Sequence, residues 1–249
     1  MVTCWGPGAE WLVEQAPRLF GSADDPSAFD PGPIPAIAEA HRRRPWLRLG
    51  RTDQVLESLA PASIEQVVTG AEAFRAQRLL VQRFGDLVAG PALDAAHPAH
   101  GMRVPLSAQQ WIGIPSWEYL RAGVEQRRTR ALLAGARAGR SLERLATDAF
   151  TGDVDAALRS LPGVGPWTAA NVRQRALGDP DAWSIGDYHV GGLISYALLG
   201  EKLDDDAVNE LLEPYAGQRY RVEVLLLSAP GPRPERHGPR RSLPTHLPT

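Results

Sequence analysis

Apolar residues recur along most of the chain with the spacing of helices buried on one face, and nowhere do they alternate convincingly with period two. Val190, Leu193, Ile194, Ala197 and Leu198 keep the i, i+3, i+4, i+7, i+8 rule without a miss. From Arg51 the pattern predicts a helix with Val55, Leu56 and Leu59 on one face, capped by Thr52 or Asp53. After Pro61 it predicts a longer helix from Ser63 to Phe84, ended by Gly85. Ser107 and Pro115 each open a short helix, and "VEQRRTRALLAGARA" from Val124 sets apolar positions on one side and arginines on the other. Asp153 or Asp155 begins a helix that stops at Pro162, and two more follow near Asp205 to Glu213 and Gln218 to Ser228. The stretch from Gly90 to Arg103 lacks a period and reads as a long loop.

These elements predict an all-α fold over residues 26–230. Residues 1–25 mix Trp, Gly and Pro without a clear period and read as irregular, or as the remnant of an N-terminal domain. Residues 231–249 are rich in Pro and Arg and read as a flexible tail. With 249 residues and 43% hydrophobic content, the chain can bury a sizeable core. One cysteine, Cys4, excludes an internal disulfide framework and any cysteine-ligated zinc or iron–sulfur cluster. No apolar run approaches the roughly 20 residues of a membrane helix, and the start lacks the layout of a signal peptide. A soluble, cytoplasmic monomer is therefore expected.

A net charge of −2 gives no global signature of nucleic-acid binding. The distribution is more telling. Lys202 is the one lysine, and arginines cluster at 42–44, at 127, 128 and 130, and from 233 to 241. Guanidinium is the cation whose planar fork suits phosphate, although such runs are also ordinary solvated faces. His41, His97 and His100 have neither mutual spacing nor carboxylate company suited to a metal.

The most specific stretch is "LPGVGPWTAANVRQRALGDPDAWSIGDYHV", Leu161 to Val190. Gly163 and Gly165 bracket Val164, and Pro166 stands where a new helix would take its first residue. That is a helical hairpin over residues 158–170, whose turn would offer amide N–H groups to an anion such as a nucleic-acid phosphate. An αα-hairpin using glycine only for close packing is the competing reading of the turn alone. Asp187 follows in "SIGDYHV", just before the helix at Val190, where a carboxylate serves either as an N-cap or as a reactive group.

The combination of hairpin, Gly/Pro-rich loop and Gly-Asp-Tyr resembles the helix–hairpin–helix DNA glycosylase superfamily, and within it the DNA-3-methyladenine glycosylase II branch. "SIEQVVTGAEAFRAQRLLVQRFGD" and "PWLRLGRTDQVLESLAPASI" are similar to that branch as well. The resemblance implies a bundle of two helical lobes with a cleft, and an N-terminal β-containing domain that is reduced or missing. It implies removal of alkylated purines of the 3-methyladenine type from double-stranded DNA in base excision repair, the damaged base being flipped out of the stack. Asp187 would be the catalytic carboxylate. Trp167 and Tyr188 match aromatic pocket positions with Gln66 nearby, while Trp111, Trp117 and Trp183 are looser candidates.

Gly163, Gly165 and Thr168 would hold the DNA backbone, and Val67 would fill the gap left by the flipped base. Main-chain carbonyls of Leu161 and Val164 would hold a structural Na+ or K+ ion; no other cofactor is implied. Bifunctional members place a Schiff-base lysine where this chain has Trp167, so no covalent imine forms and no lyase activity is expected. The absence of a four-cysteine iron–sulfur set also points away from the endonuclease III and adenine-mismatch branches. Asn171 stands where some relatives carry another aromatic ring, and His189 lies close enough to tune Asp187. The competing expectation is a catalytically weak or inactive DNA-binding, lesion-sensing protein on the same fold.

Overall fold

The computed structural model describes residues 1–32, 34–147, 149–228 and 234, so the tail at 231–249 lies outside the described residues apart from Pro234. Among the described residues the fold is all-α. In chain order the helices are α1 (Ala9–Leu19), α2 (Pro35–Arg43), α3 (Val55–Ile64), α4 (Gly70–Phe84), α5 (Ala108–Gly113), α6 (Ser116–Arg121) and α7 (Gln126–Ala138). They continue with α8 (Arg140–Glu143), α9 (Val154–Arg159), α10 (Pro166–Val172), α11 (Val190–Leu199), α12 (Asp205–Leu211) and α13 (Arg219–Ser228). One isolated bridge, Leu87 to Arg103, closes the long loop after α4. None of the described helices is long and apolar enough to cross a membrane.

Three apolar clusters organise these helices. α3 and α7 contribute to two of them. On one side Ile64 and Leu132 pack with Leu80, Trp111 and Tyr119 from α4, α5 and α6. On the other, Val55, Leu59 and Ala131 pack with Leu158, Val164, Ala169 and Val172, which builds the hairpin between α9 and α10 into the core. The two helices cross closely because residue 135 is glycine: a Cβ there would stand 2.3 Å from Leu59 Cδ2. The third cluster joins the front of the chain to its back, with Ile37 of α2 against Ile194, Val208 and Leu225 of α11, α12 and α13. Beside it Arg221 and Asp24 form a buried ion pair, their side chains 2% and 4% exposed.

Several expectations are corrected. The helix read from Ser63 to Phe84 is two helices: α3 runs through Pro61 to Ile64, and the chain breaks over residues 65–69 before α4. The restart signal is a capping box: Thr69 Oγ1 accepts the Glu72 N–H at 3.3 Å, and the Glu72 carboxylate accepts the Thr69 N–H at 2.9 Å. Neither Thr52 nor Asp53 caps α3. Glu143 does so from α8, accepting the N–H groups of Val55 at 2.8 Å and Leu56 at 2.9 Å.

Arg128 does not join the outward arginines. It is buried and donates to the carbonyls of Ile64, at 3.0 Å, and Gly123, closing the C-terminal end of α3. Residues 1–25, read as irregular, contain α1. That helix buries Gln15 and Ala16 and exposes Trp11, Leu12, Val13 and Leu19, so its apolar residues give no inward-facing stripe to read. It attaches through polar contacts: Gln15 to the Arg51 carbonyl at 3.2 Å, the Arg51 N–H to the Arg18 carbonyl at 3.1 Å, and Arg18 to Asp53 at 3.2 Å. A cavity of about 420 Å³ lies between α1 and the segment around Asp53, Gln54 and Glu143.

Candidate active site

The hairpin follows from local chemistry. Asp153 caps α9 by accepting the Ala156 N–H at 3.1 Å, and the turn closes when the Val164 N–H donates to the Leu161 carbonyl at 3.1 Å. Gly163 is left-handed, with φ +87°, and lies on α7; a Cβ there would be 3.2 Å from Ala131 Cβ. Gly165 differs: its backbone is extended, with φ −97° and ψ −179°, and a Cβ would meet nothing within 4 Å. Pro166 then opens α10 at the position where a missing N–H costs no helical bond. Val164, 7% exposed, anchors the turn below, and Arg127 and Arg130 stand exposed on α7 near Ala131.

The break between α3 and α4 is tied to this hairpin. Gln66 Nε2 donates to the Gly163 carbonyl at 3.0 Å and to Thr168 Oγ1 at 2.9 Å. The next residue, Val67, is 83% exposed at φ +56°, a conformation that β-branched side chains rarely adopt.

From α10 the chain passes through a π-type turn, Arg173–Leu177, leaves it at Gly178, and returns as the loop bearing Asp187. The Asp187 carboxylate is half-buried and used twice. Its Oδ1 accepts the N–H groups of His189 at 2.8 Å and Val190 at 3.0 Å, at the start of α11, and its Oδ2 accepts the Trp167 indole N–H at 3.2 Å. It therefore caps a helix and faces the ring that follows the hairpin. Gly186, at φ +83°, donates its N–H to Asp205 Oδ2 at 2.7 Å. On the opposite side Ser184 gives both its N–H, at 2.7 Å, and its hydroxyl, at 2.8 Å, to the buried carboxylate of Glu223. Burial pushes the Glu223 carboxyl up to about 7; the two Ser184 hydrogen bonds oppose the rise and the Asp187 charge adds to it.

The structure gathers Gln66, Gly163 and Thr168 into one contact, and Trp167 and Asp187 into another. Tyr188 joins neither: it is 93% exposed, its ring edge-on to His189 at 4.8 Å. Thr168 is buried, 2% exposed, and its hydroxyl oxygen accepts from Gln66 Nε2. The Gln66 carboxamide nitrogen is used on the hairpin. Trp111 and Trp183 are core residues, Trp117 is exposed on α6, and buried Asn171 donates to the Trp167 carbonyl at 3.0 Å. Among the described residues no His, Cys, Asp and Glu cluster suits a metal ion. The Leu161 carbonyl has one lone pair beyond the bond from Val164, the kind of main-chain oxygen a monovalent cation takes.

Sequence reasoning passed over Glu223, Ser184 and Gln174. The signal was present: Glu223 is a lone acid in the apolar run "VEVLLL" of α13.

No known family profile matches the chain, and none of the curated proteins does. Solved structures do. A 3-methyladenine DNA-glycosylase from Archaeoglobus fulgidus is 20% identical with a TM-score of 0.67, covering 88% of this chain and 74% of that one. An 8-oxoguanine glycosylase/lyase from Clostridium acetobutylicum is 11% identical with a TM-score of 0.68, over 88% of this chain and 75% of its own. A DNA-3-methyladenine glycosidase from Bacillus halodurans is 18% identical with a TM-score of 0.52, over 80% and 91%. At these identities the likeness speaks to the fold. A hairpin built into the core, a carboxylate held beside its second helix, and these structural neighbours together give this chain the fold of the helix–hairpin–helix DNA glycosylases.

Proposed function

We propose that this chain is a monofunctional DNA glycosylase that hydrolyses the N-glycosidic bond of alkylated purines, 3-methyladenine type, in duplex DNA. The observation that supports it best is the contact between Asp187 Oδ2 and the Trp167 indole, 3.2 Å, on a half-buried carboxylate one helix away from the hairpin. A stacked base cannot be reached, so the nucleotide leaves the duplex. Val67, exposed on the loop that Gln66 ties to the hairpin, would fill the gap. The turn at Gly163 and Gly165, with Arg127 and Arg130 on α7 near it, would meet the phosphates. The Leu161 and Val164 carbonyls are the oxygens that would hold a Na+ or K+ ion there; when bound it supplies positive charge beside a phosphate.

An N-alkylated purine is already cationic and leaves without a strong acid. Recognition then falls to electron-rich ring faces, among them Trp167, whose indole donates to Asp187, and the exposed Tyr188 next to Asp187 in the chain. As the glycosidic bond breaks, positive charge develops on the sugar; Asp187 stabilises it and orients or deprotonates the attacking water. With indole in place of an amine at residue 167, no imine forms with the sugar, and the product is an abasic site in an uncut strand.

The Asp187→Asn variant keeps an oxygen for the α11 cap and removes the charge. It is expected to lose at least about 100-fold in the rate of base release from methylated duplex DNA; release at the parental rate sinks the mechanism. One observation favours the second reading, a lesion-binding protein without turnover: Asp187 Oδ1 accepts the backbone N–H groups of His189 and Val190, the donors that a purely structural cap of α11 would use. Tight binding to an abasic-site analogue, with no base released from any of a panel of alkylated substrates, would select it.

A further inference from the structure

Close to Asp187, the loop that bears it is held from behind by Glu223 of α13, while Arg219 of the same helix pairs with Asp181 further up the loop. Glu223, 5% exposed, spends both carboxylate oxygens on Ser184: Oε2 accepts its N–H at 2.7 Å and Oε1 its hydroxyl at 2.8 Å. The remaining polar group of Ser184, its carbonyl, accepts the Asp187 N–H at 3.1 Å. Gln174 secures the same point from the end of the hairpin's second helix, donating to Ser184 Oγ at 3.0 Å and to the Ala182 carbonyl at 2.6 Å. One residue thus separates two carboxylates, and every polar group of that residue is used.

A buried acid here is costly, and its neighbours show the alternative: Val222, Leu225 and Leu226 pack on the same helix without it. What an acid provides is two acceptor oxygens, one for a backbone N–H and one for a hydroxyl, in a fixed fork. An apolar side chain would leave both Ser184 donors unpaired in the interior. We propose that Glu223 is a positioning residue for Asp187, acting through Ser184 to set the height and direction of the carboxylate against the Trp167 indole. This rests on the reading of Asp187 as the catalytic carboxylate. Glu223 itself touches neither DNA nor base.

The test compares the full-length parent with D187N, E223Q and S184A. Two quantities are measured: single-turnover release of methylated purine with enzyme in excess, and affinity for duplex DNA containing an abasic-site analogue. Glu223→Gln is expected to slow release by about 10- to 100-fold, the scale of a misplaced reacting group. Its affinity should stay within about threefold of the parent. Ser184→Ala keeps the backbone bond to Glu223 and the turn to Asp187, so it should slow release by about 3- to 10-fold at unchanged affinity. Release by E223Q at the parental rate, with D187N inert, overturns the positioning role and leaves the catalytic reading standing. Affinity falling in step with release also overturns it. If E223Q does not fold, S184A decides, and a parental rate in S184A is the negative result. Parental release by D187N removes the catalytic reading and this proposal with it.

Discussion

Val67 combines a β-branched side chain at φ +56° with 83% exposure. Strain of that kind costs on the order of 1–3 kcal/mol, and no burial offsets it here. Asparagine tolerates the left-handed region, so Val67→Asn should stabilise the fold by about 0.5–1 kcal/mol in urea denaturation. The same variant should slow base release from duplex DNA more than from single-stranded DNA, since only the duplex leaves a gap to fill. Equal losses on both substrates would remove Val67 from the base-flipping account. Asp187 shows a related economy, because one oxygen holds the start of α11 while the other meets an indole.

At the scale of the element, the hairpin's two glycines separate into different roles. Gly163 is left-handed and pressed on Ala131, so Gly163→Ala should destabilise by about 1–3 kcal/mol. Gly165 is extended with open space where a Cβ would go, so Gly165→Ala should change stability by less than about 0.5 kcal/mol and act on DNA affinity alone. Urea titrations beside duplex binding check this, and a G165A variant as unstable as G163A contradicts it. The hairpin was legible because its signals are local: Asp153, the two glycines and Pro166 lie within a few residues of what they control. The break before α4 was also written locally, in Thr69 and Glu72, and was masked by apolar residues continuing across it. What could not be read are supports supplied from far along the chain. Glu143 caps a helix 88 residues away, Arg128 closes one 64 residues away, and Glu223 holds a serine 39 residues away. Each of these needs the fold before it can be seen.

Across the whole molecule, α3 and α7 share their apolar faces between two clusters while α2 and α13 close the third, so these helices should open only with global unfolding. α1 is different. Its attachments are hydrogen bonds and the Arg18–Asp53 ion pair, above a cavity of about 420 Å³. Native-state hydrogen exchange should therefore find α1 amides opening first, and earlier still as added salt screens the Arg18–Asp53 pair. Protection of α1 equal to that of α3 would contradict this. The dependence of Ser184 on Glu223 has a temporal side too. The chain is made from its N-terminus, and the hairpin at 161–166 is complete well before α13 at 219–228 exists. On the role proposed for Glu223, a growing chain acquires the means to grip before its carboxylate is set in place. Base release by the nascent protein should therefore reach its full rate only once α13 docks behind Ser184.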